Sequence, residues 1–179
     1  WKLSELNFDQ TRHIQRHMLV ANGRAFDGIE YFVRHEIDLV DGVWKIPAGK
    51  MKARRAHAVP LSKQVRGYLT DLAEMLDREG YVFPSARSSK RPMSENTLNA
   101  AFRRMGYSKE EVTAHGLRAT ASTFLNESGL WNPDAIERAL AHGDSNVVRG
   151  IYHRGKHWDE RVRMAQWWSD YLDELRTGG

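Results

Sequence analysis

No cysteine occurs in the 179 residues, which excludes disulfides and thiolate-bound metals and makes a reducing compartment the expectation. No apolar run approaches the roughly 20 residues of a membrane span, and no signal-peptide pattern is present. The chain is therefore expected to be soluble and cytoplasmic, without a membrane partner. Internal repeats are lacking, and so is any linker long enough to divide the chain. A single domain over 1–179 is expected, large enough to bury a core without staples. The chain opens at Trp1 rather than Met, so a further N-terminal portion outside it is also expected.

What the chain does have is positive charge. It carries a formal +4 and an isoelectric point near 9.4, which suits a polyanion, because fixed cations displace the counterions condensed on phosphates. Basic residues gather at Lys45–Arg55, Arg87–Arg91 and Arg149–His157, while acids collect in helical stretches and near the C-terminus. Many basic proteins bind no nucleic acid, so charge alone does not decide the matter.

Hydrophobic patterning predicts a mainly α protein with a small antiparallel β-sheet, an α+β class. Helices are expected over Leu3–Ala21 and Ile29–Ile37. Gly42–Pro47 and His57–Pro60 read as strands of a hairpin with a charged tip at Ala48–Ala56, the second closed by Pro60. Ser62 is a suitable N-cap for a helix over Lys63–Arg78, with Val65, Leu69, Leu72 and Leu76 on one face. Tyr81–Pro84 reads as extended and Ser85–Pro92 as a basic loop. Ser94 is expected to cap a helix running to Arg104. Further helices are expected over His115–Glu127, over Pro133–Ala141 with an N1 proline, and over His157–Leu175, with a short one at Asn146–Tyr152.

His115-Gly116-Leu117-Arg118 carries the strongest chemical signal. Positions i and i+3 share a helix face, so an imidazole and a guanidinium can reach one site. The guanidinium is a planar fork that matches two phosphate oxygens. The imidazole can donate to phosphate or move a proton near neutral pH. Leu140-Ala141-His142 follows, and ten residues after His142 stands Tyr152, among Arg149, His153 and Arg154. A phenol ionises near pH 10, so a tyrosine that attacks a phosphodiester needs cationic neighbours. Taken singly, His115 and Arg118 are more often surface residues, and Tyr152 a half-buried core residue. The combination carries the case. His142, His153 and His157 lack a helical ligand register with a carboxylate, so no metal site is expected.

The run His115–Thr123, then Leu140–His142, then Tyr152 resembles the C-terminal half of the tyrosine recombinases, in particular the prophage and genomic-island integrases. Gln166–Leu172 resembles that subgroup's last helix. Glu36–Leu39, Val43–Pro47, Met51-Lys52 and Val59–Ser62 follow the order of its hairpin region, so the likeness spans roughly Leu19 to Leu172. It implies the DNA breaking-rejoining catalytic fold, with Tyr152 as nucleophile, Arg118 as second active-site arginine, and His115 as its His-x-x-Arg partner. His142 would be the second His/Trp position and Lys52 the lysine of the hairpin loop. Arg24, with Asp27 three residues on, is the nearest match to the family's first arginine. It stands one residue too far upstream, so either a bulge restores its register or that arginine is absent.

The resemblance further implies strand cleavage and rejoining through a 3′-phosphotyrosyl link, without metal or other cofactor. Its partners would be double-stranded DNA, further copies of the chain up to a tetramer, and accessory DNA-bending proteins, in a bacterial or phage-encoded setting. The portion outside this chain would be the family's N-terminal DNA clamp. Arg54, Arg55, Arg87, Lys90 and Arg91 are candidate backbone contacts, the plainer alternative being solvated loops. Trp167 and Trp168 read as packing residues, against a core or a neighbouring protomer, rather than base-stacking ones. Three rivals stand beside this reading: a DNA-binding protein that has lost catalysis, a type IB topoisomerase-like enzyme, and a metal-dependent nuclease.

Overall fold

The computed structural model describes residues 33–51, 54, 56–75, 80–85, 87–94, 96–141 and 157–177. The expected helices over Leu3–Ala21 and Asn146–Tyr152 lie outside these residues. The described part has helices α1 (Lys63–Met75), α2 (Thr97–Arg104), α3 (Ala114–Glu127), α4 (Pro133–Ala139) and α5 (Trp158–Thr177). Strands β1 (Ile37–Asp38), β2 (Val43–Ile46) and β3 (His57–Pro60) form one antiparallel sheet, and β4 (Pro84–Ser85) and β5 (Ser88–Pro92) form a second. Among the described residues no helix is long and apolar enough to cross a membrane.

The hairpin is where sequence expected it, in the register Val43↔Pro60 through Ile46↔His57. Trp44 and Ile46 share one face and are buried, Lys45 between them faces out, and Val43 at the strand's start is buried as well. A third strand joins, with Ile37 opposite Trp44. The link between β1 and β2 is a tight turn in which the Asp41 N–H donates to Asp38 Oδ1 (2.9 Å) and Gly42 takes φ +63°. That hydrogen bond, and then Lys45 Nζ at 2.9 Å, hold the Asp38 carboxyl below its ordinary pKa.

Three expectations need correction. The described part of Ile29–Ile37 is not helical: Val33 bridges Tyr81, the Arg34 N–H donates to Gly80 O, residues 34–36 form a single 3-10 turn, and Ile37 enters β1. So short a segment pays a high nucleation cost as a helix, and pairing partners on both sides satisfy its backbone instead. Ser85–Pro92 is a hairpin, not a loop. Its strands are short and built of Ser, Lys, Arg and Pro, so they lack an alternation signal, but buried Phe83 and Met93 close its base through a 2.9 Å backbone bond. Ser94 does not cap α2. Its Oγ accepts from Asn96 N (3.3 Å) and its carbonyl from Thr97 N (2.8 Å), so it makes a turn and the helix begins at Thr97.

The other starts are locally encoded. Ser62 Oγ accepts from Val65 N (3.3 Å), Thr113 Oγ1 from Gly116 N (2.8 Å), and Asn132 Oδ1 from Asp134 N (2.9 Å) with Pro133 at N1. One core joins the sheet to α1, Val82, Phe83, Met93 and Leu98; a second joins Ala121 and Leu125 of α3, Ile136, Ala139 and Leu140, and Met164 and Trp168 of α5. Trp168 is buried, and Trp167 stacks on Tyr171 at 5.5 Å and meets Trp131 edge-on at 6.0 Å, so both tryptophans pack.

Helix α5 also reaches back to the hairpin side of the fold. Ser169 Oγ donates to Ser62 Oγ (2.7 Å) in a buried contact, Gln166 bridges Gln64 and the Lys63 N–H, and Arg161 donates to Ala58 O (2.6 Å). Arg161 is nearly fully buried, and burial first, then Arg138, brings its guanidinium down to about 10. Burial, then the charge of Arg161, pushes the neighbouring His57 down to about 3. Its Nε2 has no hydrogen-bond partner among the described residues, so the ring stays neutral near pH 7. An unfolded histidine takes its proton near 6.5 and the folded one only near 3. The unfolded state therefore binds more protons between those values, and stability falls as pH drops through that window. Unfolding followed between pH 6.5 and 5 should show His57 contributing a loss approaching about 1.4 kcal/mol per pH unit at the acid end. His57→Leu should flatten that slope; an unchanged slope would exclude the buried imidazole as its source.

Candidate active site

The site is built around the start of α3 and the end of α4. The approach to α3 is tightly tied. Arg103 donates to the carbonyls of Tyr107 and Val112, Asn99 Oδ1 accepts from Ala114 N (3.0 Å), and Thr113 caps the first turn. Gly116 has a structural role here: a Cβ at this position would lie 3.0 Å from the capping Thr113 hydroxyl. A side chain in the middle of His-Gly-Leu-Arg would therefore press on the cap that fixes the helix start.

Arg118, one turn in, is only 4% exposed, and its Nη2 donates to the Leu140 carbonyl at 2.5 Å. Leu140 follows α4 directly and lies two residues before His142. This bond ties the two motif segments together across 22 residues. It uses one of the five N–H donors of the guanidinium. Burial lowers the pKa of Arg118 and nearby Glu137 opposes that shift; an arginine starts so far above neutrality that it keeps its charge. His115 is exposed on the same first turns.

The hairpin segment adjoins this point. Met51, immediately before Lys52, is buried in the first core. Ala114 and Ala141 pack against that same cluster. These are the residues next to His115 and His142, so the chain neighbours of three expected site residues meet one apolar cluster. Lys52, Arg24, His142 and Tyr152 themselves lie outside the described residues, as does Arg55. Of the expected DNA contacts, Arg54 (φ +51°), Arg87, Lys90 and Arg91 are exposed, the last three on the β4–β5 hairpin and its turn. Glu36, which in sequence stood only within the Glu36–Leu39 motif, is buried.

Comparison with known proteins gives the family and the fold. The profile of the Phage integrase family matches residues 18–157. The integrase of Enterobacteria phage P4 is 43% identical over 156 residues, covering 79% of this chain and 36% of that protein. The prophage integrase IntA of Escherichia coli (strain K12) is 43% identical over 143 residues, covering 80% of this chain and 34% of that protein. The fold is similar to that of the integrase from mycobacterium phage Brujita, with TM-score 0.63, 19% identity, and coverage of 88% of this chain and 50% of that one. It is also similar to the Tn1549 transposon integrase in complex with circular intermediate DNA, with TM-score 0.56, 15% identity, and coverage of 99% and 65%.

The chain belongs to the phage integrase family, the tyrosine recombinases. Its curated likenesses are to phage and prophage members. It spans a little over a third of the length of the curated relatives it matches.

Proposed function

We infer that the chain is the catalytic part of a site-specific DNA recombinase that cleaves and rejoins strands through Tyr152. The observation that carries this reading is the Arg118–Leu140 bond beside the shared apolar cluster, which joins the His-x-x-Arg helix, the approach to His142 and the approach to Lys52. Arg118 and Arg24, with His115 and His142, grip one backbone phosphate and stabilise the charge that gathers on its non-bridging oxygens. Tyr152 gives up its phenolic proton to solvent as its oxygen bonds to phosphorus. The 5′-oxygen departs with a proton from Lys52, leaving a 3′-phosphotyrosyl link. A different 5′-hydroxyl then attacks that link and releases the tyrosine. The linkage energy is held in the protein–DNA bond, so neither metal nor nucleotide enters the scheme.

The substrate is double-stranded DNA, with Arg54, Arg55, Arg87, Lys90 and Arg91 on its backbone. Strand exchange needs several copies on paired sites, a tetramer in the recombining complex, with accessory DNA-bending proteins, in the cytoplasm of a bacterium. The portion that completes the protein supplies the N-terminal DNA clamp. Integrase-named relatives favour an active enzyme over a catalytically silent DNA binder.

A nicked duplex carrying the protein's own recombination site, on which the cleaved end diffuses away, tests this reading. The full-length protein should form a covalent, denaturant-resistant adduct at the 3′ end in the presence of EDTA. An adduct at the 5′ end, or cleavage that EDTA stops, would overturn it. Lys52→Ala should slow cleavage by roughly 10²–10⁴-fold on ordinary DNA. It should have little effect when sulfur replaces the bridging 5′-oxygen, because a thiolate leaves without a proton. Equal loss on both substrates would remove Lys52 from the general-acid role.

A further inference from the structure

We propose that Glu36 is a positioning residue for the hairpin lysine, acting through Lys50. This rests on the reading of Lys52 as general acid. The Glu36 side chain is 3% exposed, and a carboxylate so buried has to be paired to remain charged. Its Oε1 lies 2.7 Å from Lys50 Nζ, and its Oε2 accepts from Trp44 Nε1 at 3.3 Å. Trp44 is buried in the middle of β2, so the carboxylate is anchored to the sheet.

Lys50 ends a 3-10 turn (Ala48–Lys50), in which its own N–H donates to Pro47 O and that of Met51 to Ala48 O. The Met51 side chain enters the core, and the Met51 carbonyl accepts from Arg54 N (2.9 Å) across positions 52 and 53. The chain is thus held on both sides of Lys52, and two residues span at most about 7 Å. The Glu36–Lys50 pair adds a charged hold to these backbone ones.

The pair also separates two neighbouring lysines. Lys50, 30% exposed, has its ammonium turned back against a buried carboxylate, so it points into the fold and Lys52 is the hairpin lysine left to serve the leaving oxygen. Loss of the Glu36 charge would remove this pair from Lys50 and loosen the turn that precedes Lys52, with no contact to DNA altered.

The experiment uses the full-length protein on the nicked duplex described above, with oxygen or sulfur at the 5′-bridging position. Glu36→Gln keeps the shape and an acceptor for Trp44 but removes the charge. It should slow cleavage of the oxygen substrate roughly tenfold, while cleavage of the sulfur substrate and DNA affinity stay within about twofold of the unsubstituted protein. Lys50→Gln should behave alike, the double variant should be no slower than either, and Lys50→Arg should retain most of the oxygen rate. Should Glu36→Gln melt below the assay temperature, the partly exposed Lys50→Gln carries the comparison. Equal slowing on both substrates, or none on oxygen, would overturn the positioning role. If Lys52→Ala is rescued by sulfur and these variants are not, the inference fails alone. If Lys52→Ala is not rescued, the general-acid reading fails and this one with it.

Discussion

Tyr152→Phe should abolish the covalent protein–DNA adduct completely while leaving DNA affinity nearly unchanged. The substitution removes one oxygen and keeps the ring, so packing and the surrounding charge of Arg149, His153 and Arg154 are preserved. What is lost is the atom proposed to bond to phosphorus, and no neighbouring hydroxyl replaces it in the Arg149–Arg154 run. Denaturing gels with end-labelled nicked DNA read the adduct, and mobility shift reads the affinity. A labelled adduct persisting in the variant would move the nucleophile to another residue. Loss of binding together with loss of adduct would make Tyr152 a structural residue instead.

Arg118→Ala should have the next largest effect. Removing one charge-stabilising donor set at a phosphoryl centre lowers the rate by roughly 10²–10³-fold. The structure adds a second expected consequence, because the Leu140 carbonyl loses the donor that reaches it from α3. An unpartnered buried carbonyl costs about 1–3 kcal/mol, so the variant should also unfold earlier. Arg118→Lys separates the two roles. It keeps a cation but not the planar fork, so cleavage should remain well below that of the unsubstituted protein, while only part of the stability is lost. Cleavage by Arg118→Lys at the original rate would rule out a fork-shaped grip on the phosphate.

These two predictions rest on unequal foundations. Arg118 was legible in sequence as half of a His-x-x-Arg pair, and the fold brings it to the Leu140–His142 segment. For Tyr152, the sequence order and the family supply the argument. The Glu36–Lys50 pair was invisible beforehand. Charges fourteen residues apart carry no mark of each other until the turn at Gly42 and the hairpin bring β1 and the 48–50 turn together. The β4–β5 hairpin was hidden for a related reason: short strands of Ser, Lys, Arg and Pro carry no apolar period of two.

Sequence by itself determined the starts of α1, α3 and α4, because a cap and its N–H partner lie two or three residues apart and settle the matter locally. It likewise determined the β2–β3 hairpin, through Trp44 and Ile46 on one face with Lys45 between them, and the order of the motif residues. Only tertiary structure decided that Val33 and Ile37–Asp38 pair rather than join one helix, that α5 returns to Ser62 from 107 residues away, and that Glu36 is buried against Lys50. The physical division is one of range. A helix cap is stabilised by its own neighbours, whereas a buried charge or an unpaired strand takes its free energy from whichever distant group the finished fold brings within reach.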